Sequence, residues 1–247
     1  MPFTLAHPAI VLPLAKRGSG LSLTALVAGS IVPDFEFFLQ MREVENVGHH
    51  WYGIFLFDLP MAALFCLLYH HLLRNALIIH LPAYLRSRLI DTLGFNWLRY
   101  AAENRWRVLV SLLIGIASHI LWDACTHADG FFVEQFPALS AQLILAGRQM
   151  PVYFFLQLVF SIAGSLAVIA AVISRKPSPG MNTPKNLPLV YWPVLLMIQA
   201  AIFSLRVTGW PEYNSFWGIV MALLGSCTYA LLLTSLLTVK MLKSVNV

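Results

Sequence analysis

The chain has 247 residues, 59% of them hydrophobic and only 11% charged, with a formal net charge of +5 and a mean hydropathy of +0.74. Soluble domains run at roughly half apolar and a quarter charged, so this composition excludes an ordinary soluble domain and points to an all-α, polytopic membrane helix bundle. The positive balance calls for no nucleic acid partner, because the basic residues gather in alternate connections and act as a topology signal.

The chain begins MPFTLAHPAIVLPLAKR, an apolar run too short to span a bilayer. Pro8 and Pro13 limit it to a helix with proline at its start and a kink near its end. Its positive charge follows the apolar stretch and no small-residue cleavage site is evident, so it does not read as a signal peptide. After Lys16, Arg17 and the Gly18-Ser19-Gly20 turn, the chain climbs from Leu21 to Val32, where Pro33 disfavours helix at the preceding residue. A new helix then starts with Asp34 and Glu36 in its first turn, where the helix dipole favours acids. This reads as a re-entrant hairpin followed by an outward-side helix. At the α-helical rise, His7 and Asp34 stand roughly 12 and 18 Å above the turn, close enough in height to share a site.

Apolar runs at about 21–39, 51–73, 108–126, 152–173, 188–206 and 216–239 each approach the ~20 residues needed to cross the hydrocarbon as a helix. About six spans are therefore expected. Cys66, Cys125 and Cys227 fall inside these runs and read as small core hydrophobes. With positive charge retained inside, both termini are cytoplasmic, and the loops at 40–50, 127–151 and 207–215 face outward. The 74–107 connection alternates apolar and basic residues, as expected of an amphipathic helix or connector on the inner surface. His70, His71 and His80 sit at that end as interfacial residues. The Pro-rich stretch at 175–188 is a flexible link. It separates residues 1–174, which carry the polar decoration, from two plainer helices at 188–240 of the same domain.

The segment SHILWDACTHADG is the exception to this apolar pattern. His119, Asp123 and His127 are spaced i, i+4, i+8, so each is rotated only ~40° from the last and the three form one stripe along a helix. A charged Asp there costs at least ~2.5–3.5 kcal/mol on insertion scales. A divalent cation offsets that cost, because it binds neutral imidazole and carboxylate directly. His7, Asp34, Glu36, and His49 or His50 converge from the same side, with Asp58 in span 2. Each also has a plainer reading. The stripe could be an interhelical hydrogen-bond network, Asp34 and Glu36 helix-start acids, His49 and His50 an interface pair, and Asp58 a residue behind the ligands.

The segments MPFTLAHPAIVLPL, LVAGSIVPDFEFFL, GHHWYGIFLFDLP, LLIGIASHILWDACTHADG and GRQMPVYFFLQ resemble, in order and spacing, the motifs of a bacterial membrane family, domain of unknown function 4184 (DUF4184). The resemblance covers about residues 1–165. Through it the chain is similar to inner-membrane metal-dependent hydrolases and, more remotely, to zinc-dependent phospholipase C, which bury histidines and aspartates in helical bundles around zinc. The resemblance implies a ligand set of His7, Asp34, His49, His119, Asp123 and His127. His50 stands where a small hydroxyl residue is expected, and Arg148 where a different polar residue is common.

The expectation is a membrane-embedded metal-dependent hydrolase of the bacterial inner membrane, acting on a lipid or membrane-associated phosphoester. Zinc would activate water and polarise the phosphoryl oxygen, Glu36 or Asp58 would accept the proton, and Arg148 would hold the phosphate. Two rival classes use the same residues: a transporter or channel for protons or metal ions, and a non-catalytic scaffold held together by its metal.

Overall fold

A computed structural model describes residues 3–16, 18–43, 47–145, 147–178 and 190–244, with side chains as far as 238. Arg17, Glu45, Lys185 and most of the Pro-rich link lie outside these residues, as do the side chains of Lys240 and Lys243. In chain order the helices are α1 (Pro8–Val11), α2 (Leu23–Ile31), α3 (Phe35–Gln40), α4 (Leu59–Leu68), α5 (Arg74–His80), α6 (Ala83–Leu89), α7 (Trp97–Glu103), α8 (Arg105–Thr126), α9 (Phe131–Gln135) and α10 (Pro137–Ser140). A short hairpin of β1 (Gln142–Leu145) and β2 (Arg148–Pro151) follows, then α11 (Val152–Ile173), α12 (Tyr191–Gly209) and α13 (Phe216–Ser244). The fold is all-α apart from that antiparallel hairpin, in which Leu145 faces Arg148. Among the described residues, six helical runs are long and apolar enough to cross a membrane: Leu23–Gln40, Ile54–His80, Arg105–Gln135, Val152–Ile173, Tyr191–Gly209 and Phe216–Thr238.

The chain divides into two compact units. The first comprises residues up to Pro33 with Val47–Ala63 and Glu103–Val172. Its centre is the packing of α2 on α8, and two glycines explain why these helices lie so close. A Cβ built on Gly29 would run into the backbone of Leu112 and Ile116, and one on Gly115 into the backbone of Leu26 and Ser30. Small residues at a helix crossing let backbones touch in this way. The start of α2 is pinned by Ser22, whose hydroxyl accepts from the Ala25 amide at 3.4 Å, while its own amide donates to Ser111 Oγ at 2.8 Å. The Thr4–Ala15 apolar run returns through a turn in which Gly18 and Gly20 have φ of +86° and +72°, and α1 packs against α2. The turn expected between the first apolar run and Leu21–Val32 is thus present in the backbone, whereas the helix expected to start afresh at Pro33 continues the same helical run to Gln40.

The second unit comprises Asp34–Asn46, Leu64–Ala102 and Ile173–Val247. Its polar interior is built on two buried arginines. Arg74 donates to the carbonyls of Phe95 at 2.9 Å and Leu93 at 2.8 Å and bonds His70 Nδ1 at 2.9 Å. Arg206 donates to the Met41 carbonyl at 2.8 Å and to the Trp210 carbonyl at 3.1 Å. Both lie where an apolar run of the sequence meets a connection. The burial of their charge is offset by carbonyls that helix and turn ends leave without intrahelical partners. His70, expected at the interface, is instead buried and stacks on Trp97 with ring centroids 4.8 Å apart.

Candidate metal centre

The last two turns of α8 carry His119 and Asp123, both buried. One helical turn apart on one face, they meet directly: His119 Nε2 lies 3.2 Å from Asp123 Oδ2. The close approach of α2 sets the other edge of the same ring, because His119 Nδ1 is 2.8 Å from the Ser30 carbonyl oxygen. A carbonyl can only accept, so Nδ1 carries the hydrogen.

His7 arrives from the N-terminal run, where it sits between the short helical turn Thr4–Ala6 and Pro8, the first residue of α1. It is fully buried. Its Nε2 is 3.2 Å from Asp123 Oδ1, its Nδ1 is 3.2 Å from the Thr4 carbonyl, and its ring stacks on that of His119 at 4.0 Å. His49 approaches from the turn before the Ile54–Asp58 π-helical turn, with Nε2 3.5 Å from Asp123 Oδ2. Three imidazoles thus face one carboxylate.

Asp34 is joined directly to Pro33 on the continuous Leu23–Gln40 run and is fully buried. One donor atom each from Asp34, His49, His119 and Asp123 lies within 4.8 Å of all the others, a group that could hold a metal ion. His127 is less directly engaged. Its Nδ1 bonds the backbone carbonyl of Asp123 at 3.0 Å and is 3.7 Å from Asp123 Oδ1. His50 turns away from this cluster and stacks on Tyr52 at 5.1 Å.

The remaining predicted residues are more dispersed. Asp58 is fully buried at the end of the π-helical turn. Glu36 belongs to the second unit, is buried, and accepts from Gln40 Nε2 at 3.4 Å. Arg148 is exposed on β2. Sequence reading missed the carbonyls of Thr4 and Ser30, which orient two of the rings. Backbone groups leave no side-chain signature, so only the tertiary contact reveals them. It also missed Trp122, next to Asp123, whose ring centroid lies 5.2 Å from that of His7.

The family profile described as "Domain of unknown function (DUF4184)" matches residues 1–236. No curated protein matches the chain, and no solved structure does.

Proposed function

We propose that this chain, which belongs to the DUF4184 family, is a membrane-embedded metal-dependent hydrolase of lipid or membrane-associated phosphoesters. Zinc is the proposed ion, the bacterial inner membrane the proposed location, and both termini are placed on the cytoplasmic side by the positive-inside rule.

The observation that carries this reading is the donor geometry around Asp123. In His7 and His119 the Nδ1 hydrogen is used by a carbonyl, so in the neutral ring Nε2 presents a lone pair. That lone pair points at a carboxylate oxygen 3.2 Å away in both cases. Two acceptors facing each other repel unless a cation, a proton or a metal ion, lies between them. Imidazoles that ligate metals characteristically give their other N–H to a backbone carbonyl. The spacing agrees as well. With metal–ligand distances of ~2.0–2.1 Å, a tetrahedral site places adjacent donor atoms roughly 3.3–3.4 Å apart. The His119 and His49 nitrogens stand 3.2 and 3.5 Å from Asp123 Oδ2.

Asp34, His49, His119 and Asp123 are the proposed ligands. Imidazole nitrogens and carboxylate oxygens together suit zinc. When bound, such an ion lowers the pKa of a coordinated water to near ~7 and polarises a phosphoryl oxygen. His7, whose Nε2 faces the other oxygen of Asp123 at 3.2 Å, is a further proposed ligand. Asp58 is the proposed proton acceptor and Arg148 the proposed phosphate contact. Solvent reaches the cluster past His49 and His127, whose side chains are 26% and 24% exposed.

One specific observation favours a second reading, a non-catalytic scaffold. The four-residue group offers four donor atoms from the protein, the ligand count of structural zinc sites. Metal analysis and turnover separate the two. The detergent-purified full chain should contain about one zinc and release phosphate from a long-chain phosphoester. An Asp123→Asn variant should lose both. Tight zinc without turnover leaves the scaffold. A purified chain that binds no zinc, with Asp123→Asn indistinguishable from wild type, removes both readings.

A further inference from the structure

We propose that an apolar groove beside the metal cluster holds one hydrocarbon chain of the lipid whose phosphate headgroup reaches the metal. The inference rests on the function proposed above and names the substrate class more closely: a phospholipid bound by one acyl chain.

The groove lies within the first unit and has a volume of about 500 Å³, within the range of small-molecule sites. Ile10, Leu121, Trp122, Phe160, Ala163 and Ala167 are among its lining residues. Two features argue for a chain of this lipid. First, the groove begins at the cluster. α8 turns His119 and Asp123 to one side and Leu121, Trp122 and Cys125 to the groove, and the Trp122 ring touches the metal-side histidine His7 at 5.2 Å.

Second, the groove is cut into two helical runs long and apolar enough to cross a membrane, Arg105–Gln135 and Val152–Ile173, and its lining residues Leu121, Ala163 and Ala167 are exposed. From Phe160 to Ala167 it follows α11 for roughly 10 Å at the helical rise. The small side chains of Ala163 and Ala167 leave the trough that a larger residue would close.

The experiment uses the zinc-loaded full chain in phosphatidylcholine nanodiscs containing phosphatidic acid with a photoreactive diazirine in one acyl chain. Cross-linked residues are mapped by mass spectrometry and zinc is measured in parallel. Ala163 and Ala167 are exposed, so Ala163→Phe and Ala167→Phe fill the groove without disturbing the packed interior. Ala170→Phe, on the same helix and also exposed, serves as control. The proposal expects cross-links concentrated on Leu121, Trp122 and Phe160. It also expects their loss in the two filling variants, with zinc content unchanged and the control like wild type. Cross-links spread evenly along α11 and unaffected by filling overturn the groove as a site. Groove cross-links that persist unchanged after chelation of zinc, and in Asp123→Asn, overturn the coupling of chain to metal-held headgroup. Loss of zinc binding in wild type itself identifies failure of the underlying metal reading.

Discussion

His119 bridges two helices through its two ring nitrogens: Nε2 stands 3.2 Å from Asp123 Oδ2 on its own helix, and Nδ1 gives its hydrogen to the Ser30 carbonyl of α2 at 2.8 Å. The ring is thereby held in one tautomer and one orientation. A ligand prepared in this way binds a metal without first losing conformational freedom, and losing the orienting contact weakens affinity by about 10–100-fold in related arrangements.

The α2–α8 crossing should therefore govern the metal site. In a Gly115→Ala variant the new methyl meets the Leu26 and Ser30 backbone and pushes the helices apart. Overpacking of this kind costs about 1–3 kcal/mol. We expect a lower melting temperature in detergent and, through displacement of the Ser30 carbonyl, about tenfold weaker zinc binding. A variant with unchanged zinc affinity would show that the crossing does not position His119.

Neighbouring histidines should behave differently. His49 faces Asp123 Oδ2 at 3.5 Å, whereas His50 stacks on Tyr52. His49→Ala should reduce zinc affinity by about 100-fold or more, since a ligand matters at least as much as the groups that orient it. His50→Ala should leave it unchanged. Competition titration with a chromogenic chelator measures both, and equal effects would contradict the proposed ligand set.

Metal removal should loosen the first unit. Binding to the folded state alone stabilises by about 4 kcal/mol when free ligand is 1,000 times Kd. Chelation should lower the unfolding midpoint, and added zinc should restore it. Because histidine rings and a carboxylate are already packed against each other at 0–8% side-chain exposure, the loss should exceed that seen after mutating an exposed residue such as Arg148. An unchanged midpoint after verified removal would argue against any bound ion.

Arg74 offers a prediction independent of the metal. Arg74→Met keeps much of the side chain's length but strands the carbonyls of Phe95 and Leu93. A fully buried acceptor left unmet costs about 1–3 kcal/mol, and these two, only partly buried, fall toward the lower end of that range. Thermal unfolding should shift markedly downward while zinc content stays at the wild-type level. A fall in zinc content would show that the arginine's role reaches beyond its own unit.

Much of this molecule was legible in one dimension. The apolar runs mark the six membrane-length helices found among the described residues, because the hydrocarbon thickness sets a length that composition alone reveals. The i, i+4 spacing places His119 beside Asp123 because helical geometry is local. The short hairpin of β1 and β2 was not legible. Leu143, Ile144 and Leu145 are exposed, and a four-residue strand without a buried face has no alternating pattern to read.

The sequence by itself determined the all-α, membrane-length architecture and the stripe on α8, since hydropathy and helical period depend only on near neighbours. Only the tertiary structure decided that His7, 116 residues away, closes on Asp123, that His49 and not His50 joins it, and that the carbonyls of Thr4 and Ser30 orient the rings. It also decided that Arg74 and Arg206 are buried among carbonyls at helix and turn ends. Those outcomes depend on which backbones can approach one another, and that is settled by packing at places such as Gly29 and Gly115, where the absence of a side chain lets two helices touch.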